Sequence, residues 1–160
     1  MCDATVDAIF DKDRSQKNNK QFIKKNIKGK KGCLTFSSKI NFMTTQEIAN
    51  RMAELFKENK WMEVQDELFA ENAVSIEPPH SQGLKTVEGL AAIKQKGEQF
   101  NSMVEEMHGG WVSDLIVAGN YITCGMGMDA TMKGSGRMKM EEVCVYEVKD
   151  GKIVKEQFFF

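Results

Sequence analysis

Proline is nearly absent: the 160 residues hold two, side by side at Pro78 and Pro79. Histidine is as scarce, with His80 and His108 the whole supply. A facial metal triad needs two histidines and a carboxylate at one point, and His80 sits in a loop, so no metal and no other cofactor is expected. The four cysteines, Cys2, Cys33, Cys124 and Cys144, form no CxxC pair or other zinc-ligand spacing. Cys124 and Cys144 fall within apolar strand patterns, where a free cysteine acts as a small buried hydrophobe. All four read as reduced thiols in a cytoplasmic protein. No apolar run approaches the roughly 18 residues of a membrane span. Asp3, Asp7, Asp11 and Asp13 interrupt the first stretch, which argues against a secretory signal. A glycine-rich phosphate loop and a Ser-His-Asp order are also missing.

What is there divides sharply by charge. Residues 1–42 carry ten Lys and Arg against four Asp, a balance of +6; residues 43–160 carry twelve against nineteen Asp and Glu, a balance of −7. An acidic folded region is poorly suited to a phosphate backbone, so no nucleic-acid partner is expected. The basic stretch lacks proline and any sustained helical or strand period, and its run from Lys24 to Gly32 cannot bury enough apolar area to offset ordering. Three readings stand: a disordered tail, translation from upstream of a true start at Met43, or a functional basic arm. Residues 43–160 form one domain with 41% apolar and 28% charged residues in the whole chain, ordinary for a globular protein.

Within that domain helices precede strands, the order of an α+β fold. Thr44-x-x-Glu47 is a capping box opening a helix whose apolar face runs through Ile48, Met52, Leu55 and Phe56. A second short helix spans about 61–69. A central helix covers about 87–101, with Leu90, Ile93, Gly97 and Phe100 along one side. Strand patterns follow at about 104–107, 111–117 (the two readable as one bent strand), 121–132, 137–148 and 153–160. Lys133-Gly134-Ser135-Gly136 and Lys149-Asp150-Gly151-Lys152 are hairpin turns, the second a strong Asp-Gly signal.

The stretch 69–100 places an apolar strand, then Glu77-Pro78-Pro79, then a loop entering a helix through Thr86 and Gly89. This arrangement resembles the SnoaL-like polyketide cyclases and the ketosteroid isomerases of the nuclear-transport-factor-2-like superfamily. The C-terminal segment CVYEVKDGKIVKEQFFF is similar to the ending common in SnoaL-like proteins. The resemblance covers residues 43–160. It implies a cone-shaped fold, a curved antiparallel sheet with about three helices on one face, around a pocket for a small hydrophobic molecule. It also implies that Glu77 stands at the position of the isomerases' general base.

Strand alternation carries the resemblance to further acids. One face of 137–148 holds Met138, Met140, Glu142, Cys144 and Tyr146; the other holds Glu141, Val143, Val145 and Glu147. By the resemblance, Glu142 is the nearest match to the isomerases' inward acid, which is kept protonated so that it donates to the oxyanion. In 121–132, Tyr121, Thr123, Gly125, Gly127, Asp129 and Thr131 share a face, and Asp129 is expected to point inward with His108 as its partner. A salt bridge from Asp129 to Arg137 is the competing reading. Glu156, on the face shared with Val154, Phe158 and Phe160, is a further candidate for an inward acid. Ala53, Phe56, Phe100, Trp111 and Tyr121 are expected to line the pocket, and the methionines of the strands to pack as core or lining. Counting back without a gap, the isomerases' oxyanion-donating tyrosine falls on Ala53, so their full constellation is incomplete.

Two functions follow. One is an enzyme of cyclase or isomerase type, moving a proton next to a carbonyl without a cofactor: Glu77 or Asp129 as base, His108 and protonated Glu142 holding the enolate oxygen. The other is a binding or scaffold module of the same fold. Val143 and Val145, rimmed by charges on the outer sheet face, are expected to form a homodimer interface.

Overall fold

The computed structural model describes residues 42–160 apart from Gln82. The expectations for residues 1–41, the basic tail with its three readings and the state of Cys2 and Cys33, lie outside the described residues.

Helix α1 (Thr45–Lys57) opens on the expected capping box: the Thr44 hydroxyl accepts from the Glu47 backbone N–H, and Glu47 accepts from the Thr44 backbone N–H at 2.7 Å. Ile48, Ala49, Met52 and Leu55 form its buried face. Helix α2 (Trp61–Leu68) runs straight into strand β1 (Phe69–Ile76). Arg51 ties α1 to α2 through a two-point contact with Glu67, both at 2.8 Å. After a loop and the short β2 (Val87–Glu88), helix α3 (Leu90–Met103) begins at Gly89, whose φ of +92° favours glycine.

Strands β3 (Val104–Val112), β4 (Ile116–Ala118), β5 (Tyr121–Met132), β6 (Gly136–Lys149) and β7 (Lys152–Phe159) complete the chain. The segments near 104 and 111 are indeed continuous, with bulges before Glu106 and at His108. The curved, unclosed sheet has the order β2-β1-β7-β6-β5-β3, with β4 also on β5. It is antiparallel except for one pair: β1 lies parallel to β7. The long path between them, through α3 and the β3–β6 meander, imposes no hairpin reversal. Asp150 and Gly151, at φ of 51° and 74°, make the tight β6–β7 turn. The core lies between α1, α2, α3 and the concave sheet face, where Ile48, Met52 and Leu55 meet Ile122, Cys144 and Ile153. Among the described residues no helix is long and apolar enough to cross a membrane.

The β5–β6 register decides which side chains face that core. Met132 pairs with Gly136, so the turn has three residues, 133–135, and Met126 pairs with Glu142, Met128 with Met140 and Asp129 with Lys139. Ile122, Cys124 and Ala130 are buried on the same row as Met126 and Met128. The opposite row holds Tyr121, Gly125, Gly127 and Asp129 on the convex face. Gly127 belongs there for a steric reason: a Cβ would come 2.2 Å from Trp111 Nε1.

Candidate functional site

A cavity of about 1180 Å³ opens between α2, α3, the 77–86 loop and the concave sheet face. Its inner end is polar. Glu77 follows β1 directly, and Thr86 Oγ1 accepts its backbone N–H at 3.0 Å, which fixes the residue ahead of the two prolines. The Glu77 side chain is only 7% exposed, and its partner is a lysine that is 8% exposed: Lys96 Nζ donates to Glu77 Oε1 at 2.7 Å. Lys96 also donates to Ser75 Oγ, and the Ser75 hydroxyl donates to Glu156 Oε1 at 2.6 Å. The Lys96 ammonium stands 4.9 Å from the centre of the Phe158 ring, within cation–π range. The result is one connected chain, Glu77–Lys96–Ser75–Glu156, drawn from β1, the loop after it, α3 and β7.

Two more groups complete this end. Glu142 projects from β6 and accepts from the Cys144 thiol at 3.5 Å. Burial pushes its carboxyl above the ordinary range, and the negative charges of Glu77 and Glu156 push the same way, opposed by the Cys144 contact and by Lys96. Burial raises Glu156 as well, against the lowering effect of its Ser75 hydrogen bond and of Lys96. Tyr146, next along β6, borders the cavity, and burial pushes its phenol upward. One carboxylate is therefore held against a cation, while two carboxyls sit where the protonated form is favoured.

Of the residues expected at the site, Glu77, Glu142, Glu156, Phe56 and Phe100 border this cavity. His108 and Asp129 do not. Asp129 lies on the convex face, with two contacts of 2.8 Å to Arg137, whose guanidinium holds its carboxyl down at about 2. A four-residue turn at 133–136 would have brought Asp129 onto Glu142's face; the observed three-residue turn shifts the pairing by one and turns it outward. His108 sits at a β3 bulge, and its Nε2 lies 2.7 Å from a hydroxyl of the same outer row, Thr131 Oγ1. The expected pairing of these two at an inner site is corrected accordingly. Trp111 is among the cavity's bordering residues, yet its indole covers Gly125 and Gly127 on the outer side. Tyr121 is exposed on that outer row, and Ala53 falls outside the cavity wall.

Lys96 and Ser75 were missed. The signal for Lys96 was present: it falls three residues after Ile93 and four before Phe100, inside the apolar stripe of α3. A lysine in such a stripe needs a buried partner. Ser75 alternates with buried Ala73 and with Glu77, which marks the inward row of β1.

A cone of three helices on a curved sheet, enclosing a deep cavity with buried acids at its inner end, defines the class. Residues 43–160 match the profile of the SnoaL-like domain. The chain belongs to the SnoaL-like family. Among solved structures, a protein from Mesorhizobium loti described as a candidate SnoaL-like polyketide cyclase, with carbohydrate phosphatase added in brackets, is 32% identical. The alignment covers 74% of this chain and 100% of that one, with a TM-score of 0.69. A candidate isomerase from Bacillus subtilis shares the fold at 21% identity and a TM-score of 0.57, covering 72% of this chain and 88% of its own. A protein of ketosteroid isomerase-like fold from Catenulispora acidiphila, solved with trimethylamine, does so at 19% and 0.56, covering 73% and 87%. No curated protein matches the chain in sequence.

Proposed function

We propose that this protein moves a proton next to the carbonyl of a hydrophobic small molecule, without a cofactor, as a cyclase or isomerase does. The observation that carries the reading is the buried Glu77–Lys96 pair at the inner end of an apolar cavity. Glu77 takes the proton on its second carboxylate oxygen. The negative charge then passes from Glu77 to the enolate oxygen while Lys96 stays beside both. The cation is fixed before the reaction, so little reorganisation accompanies the charge shift. Glu142 and Tyr146, whose protonated forms burial favours, donate hydrogen bonds to the same oxygen. The description of the 32% identical Mesorhizobium loti protein as a candidate polyketide cyclase supports the reaction type.

The test is exchange of α-protons of 2-octanone in D₂O, followed by ¹H NMR. Wild-type protein is expected to accelerate exchange, and Glu77→Gln to lose at least about 100-fold, the lower range of general-base catalysis. Wild type at the uncatalysed rate would favour the second reading, a binding module. The specific observation behind that reading is that Lys96 already occupies one oxygen of Glu77.

We further propose a homodimer through the convex face. Val143, 48% exposed, pairs with Gly125 on one side and with exposed Phe159 on the other. Trp111 extends this apolar row over Gly125, and Glu141 and Lys139 rim it. Val143→Glu is expected to convert a dimer to a monomer in sedimentation; an unchanged dimer would place the interface elsewhere.

A further inference from the structure

Resting on the site just described, we infer that its substrate is a long, flexible, largely apolar carbonyl compound, with the carbonyl at Glu77 and Lys96 and the chain laid along a wall of methionine. Most of the protein's 11 methionines border the cavity. Their placement is ordered. On β6 the inward row runs from Glu142 through Met140 to Met138, and on β5 the facing row runs from Met126 through Met128 to Met132. Acid thus gives way to thioether along the strands, in one direction.

Helix α3 runs the same way. Lys96 belongs to the polar end, and the last residue, Met103, is held at the other: its carbonyl accepts the Lys133 backbone N–H at 2.9 Å, and Ser102's carbonyl accepts Lys133 Nζ at 2.7 Å. The β5–β6 turn and the end of α3 therefore form the mouth together. From Glu142 to Met138 the strand advances about 13 Å, and from Lys96 to Met103 the helix advances about 10 Å. Between the two ends the sheet wall is methionine, while the helical side offers Phe100 together with Gln65 and Asn101, and Lys133 and Ser135 stand at the rim.

That distribution specifies the ligand. Among the described residues, the sheet wall beyond Glu142 carries no hydrogen-bonding side chain before the rim, which suits an apolar body laid along it. The length fits an apolar body of roughly ten carbons. Methionine is unbranched and has three rotatable bonds, so a wall of it adapts to a chain of many conformers rather than to one rigid outline. The volume, about 1180 Å³, exceeds what a short ketone fills.

Binding of 2-pentanone, 2-octanone and 2-undecanone to the full chain, followed through ¹³C-labelled methionine methyl groups, tests this without requiring turnover. Affinity is expected to rise about fourfold per added methylene, with 2-undecanone shifting Met128, Met138 and Met140 and 2-pentanone leaving Met138 unmoved. Met138→Ser, at a position 40% exposed and so outside the core, should weaken 2-undecanone at least about fivefold and leave 2-pentanone unchanged, and Met138→Leu should restore most of the loss. Affinity independent of chain length overturns the inference, as does a rigid polycyclic ketone such as androst-4-ene-3,17-dione binding more tightly than 2-undecanone. Exchange of 2-octanone protons without length dependence would leave the proton-transfer reading intact and remove only this one. Length dependence without exchange would do the reverse.

Discussion

Strands β5 and β6 carry acids on both faces, and the two faces treat them in opposite ways. On the concave side Glu142 lies opposite Met126, among methionines and near two other carboxyls, and burial raises its pKa. On the convex side, Asp129 lies opposite Lys139 and is gripped by Arg137, and its pKa falls to about 2. The two residues are of similar chemistry on neighbouring strands. What separates them is parity in the pairing, which sends one into a low-dielectric cavity and the other to a solvated cation. An acid in a strand therefore says little about chemistry until its face is known.

The sharpest break in this contrast comes from removing the cation on the concave side. Lys96→Met leaves Glu77 buried without a partner, and a loss of about 3–5 kcal/mol in urea unfolding is expected. Lys96→Met combined with Glu77→Gln should recover much of that, because replacing a buried pair costs less than breaking it. If the single variant is as stable as wild type, Glu77 is not held in the protein interior.

A smaller effect tests the convex side. Gly127→Ala places a methyl group against Trp111, and about 1–3 kcal/mol of destabilisation is expected from overpacking. In a Trp111→Ala background the same change should cost far less. Equal costs in both backgrounds would mean that Trp111 does not cover that glycine.

The smallest effects concern pH, and the two acids have opposite signs. Glu142 has a raised folded pKa, so the native state holds its proton more tightly than the unfolded chain. Its contribution is present below the ordinary value of 4.5 and is lost as pH rises through the raised value. Glu142→Gln should therefore flatten the decline in Tm as pH rises above 4.5. Asp129 has a depressed pKa, so its contribution is present above 3.8 and is lost as pH falls toward about 2. Asp129→Asn should lower Tm slightly above about pH 4, and that cost should vanish as pH falls toward about 2. A Tm profile of Glu142→Gln parallel to wild type would mean that Glu142 is solvated.

Much of the fold was legible because its signals are local. The Thr44–Glu47 capping box, the Asp150-Gly151 turn and the alternation of 121–132 and 137–148 depend on residues a few positions apart, and each appears where expected. The parallel pairing of β1 with β7 was not legible, since no turn joins them. At the site, Glu77 was readable from the strand–acid–proline order and Glu142 from alternation along β6. Asp129 was misplaced because glycines suit either a three- or a four-residue turn, and both Gly134 and Gly136 have φ of +77°. Lys96 was overlooked because a charged residue in an apolar helix stripe gains its meaning only from a partner on another element.

The sequence by itself determined the family, the order of helices and strands, and which side chains share a row on each strand. These follow from short-range sterics and hydrogen bonding, which act along the chain. Only the tertiary structure decided which row faces the cavity, and that Glu77, Lys96, Ser75 and Glu156 meet in one buried chain of contacts. Those four come from β1, its following loop, α3 and β7, up to 81 residues apart for Ser75 and Glu156. Charge and hydroxyl groups separated that far find each other only when a closed core excludes water and leaves each the others as partners.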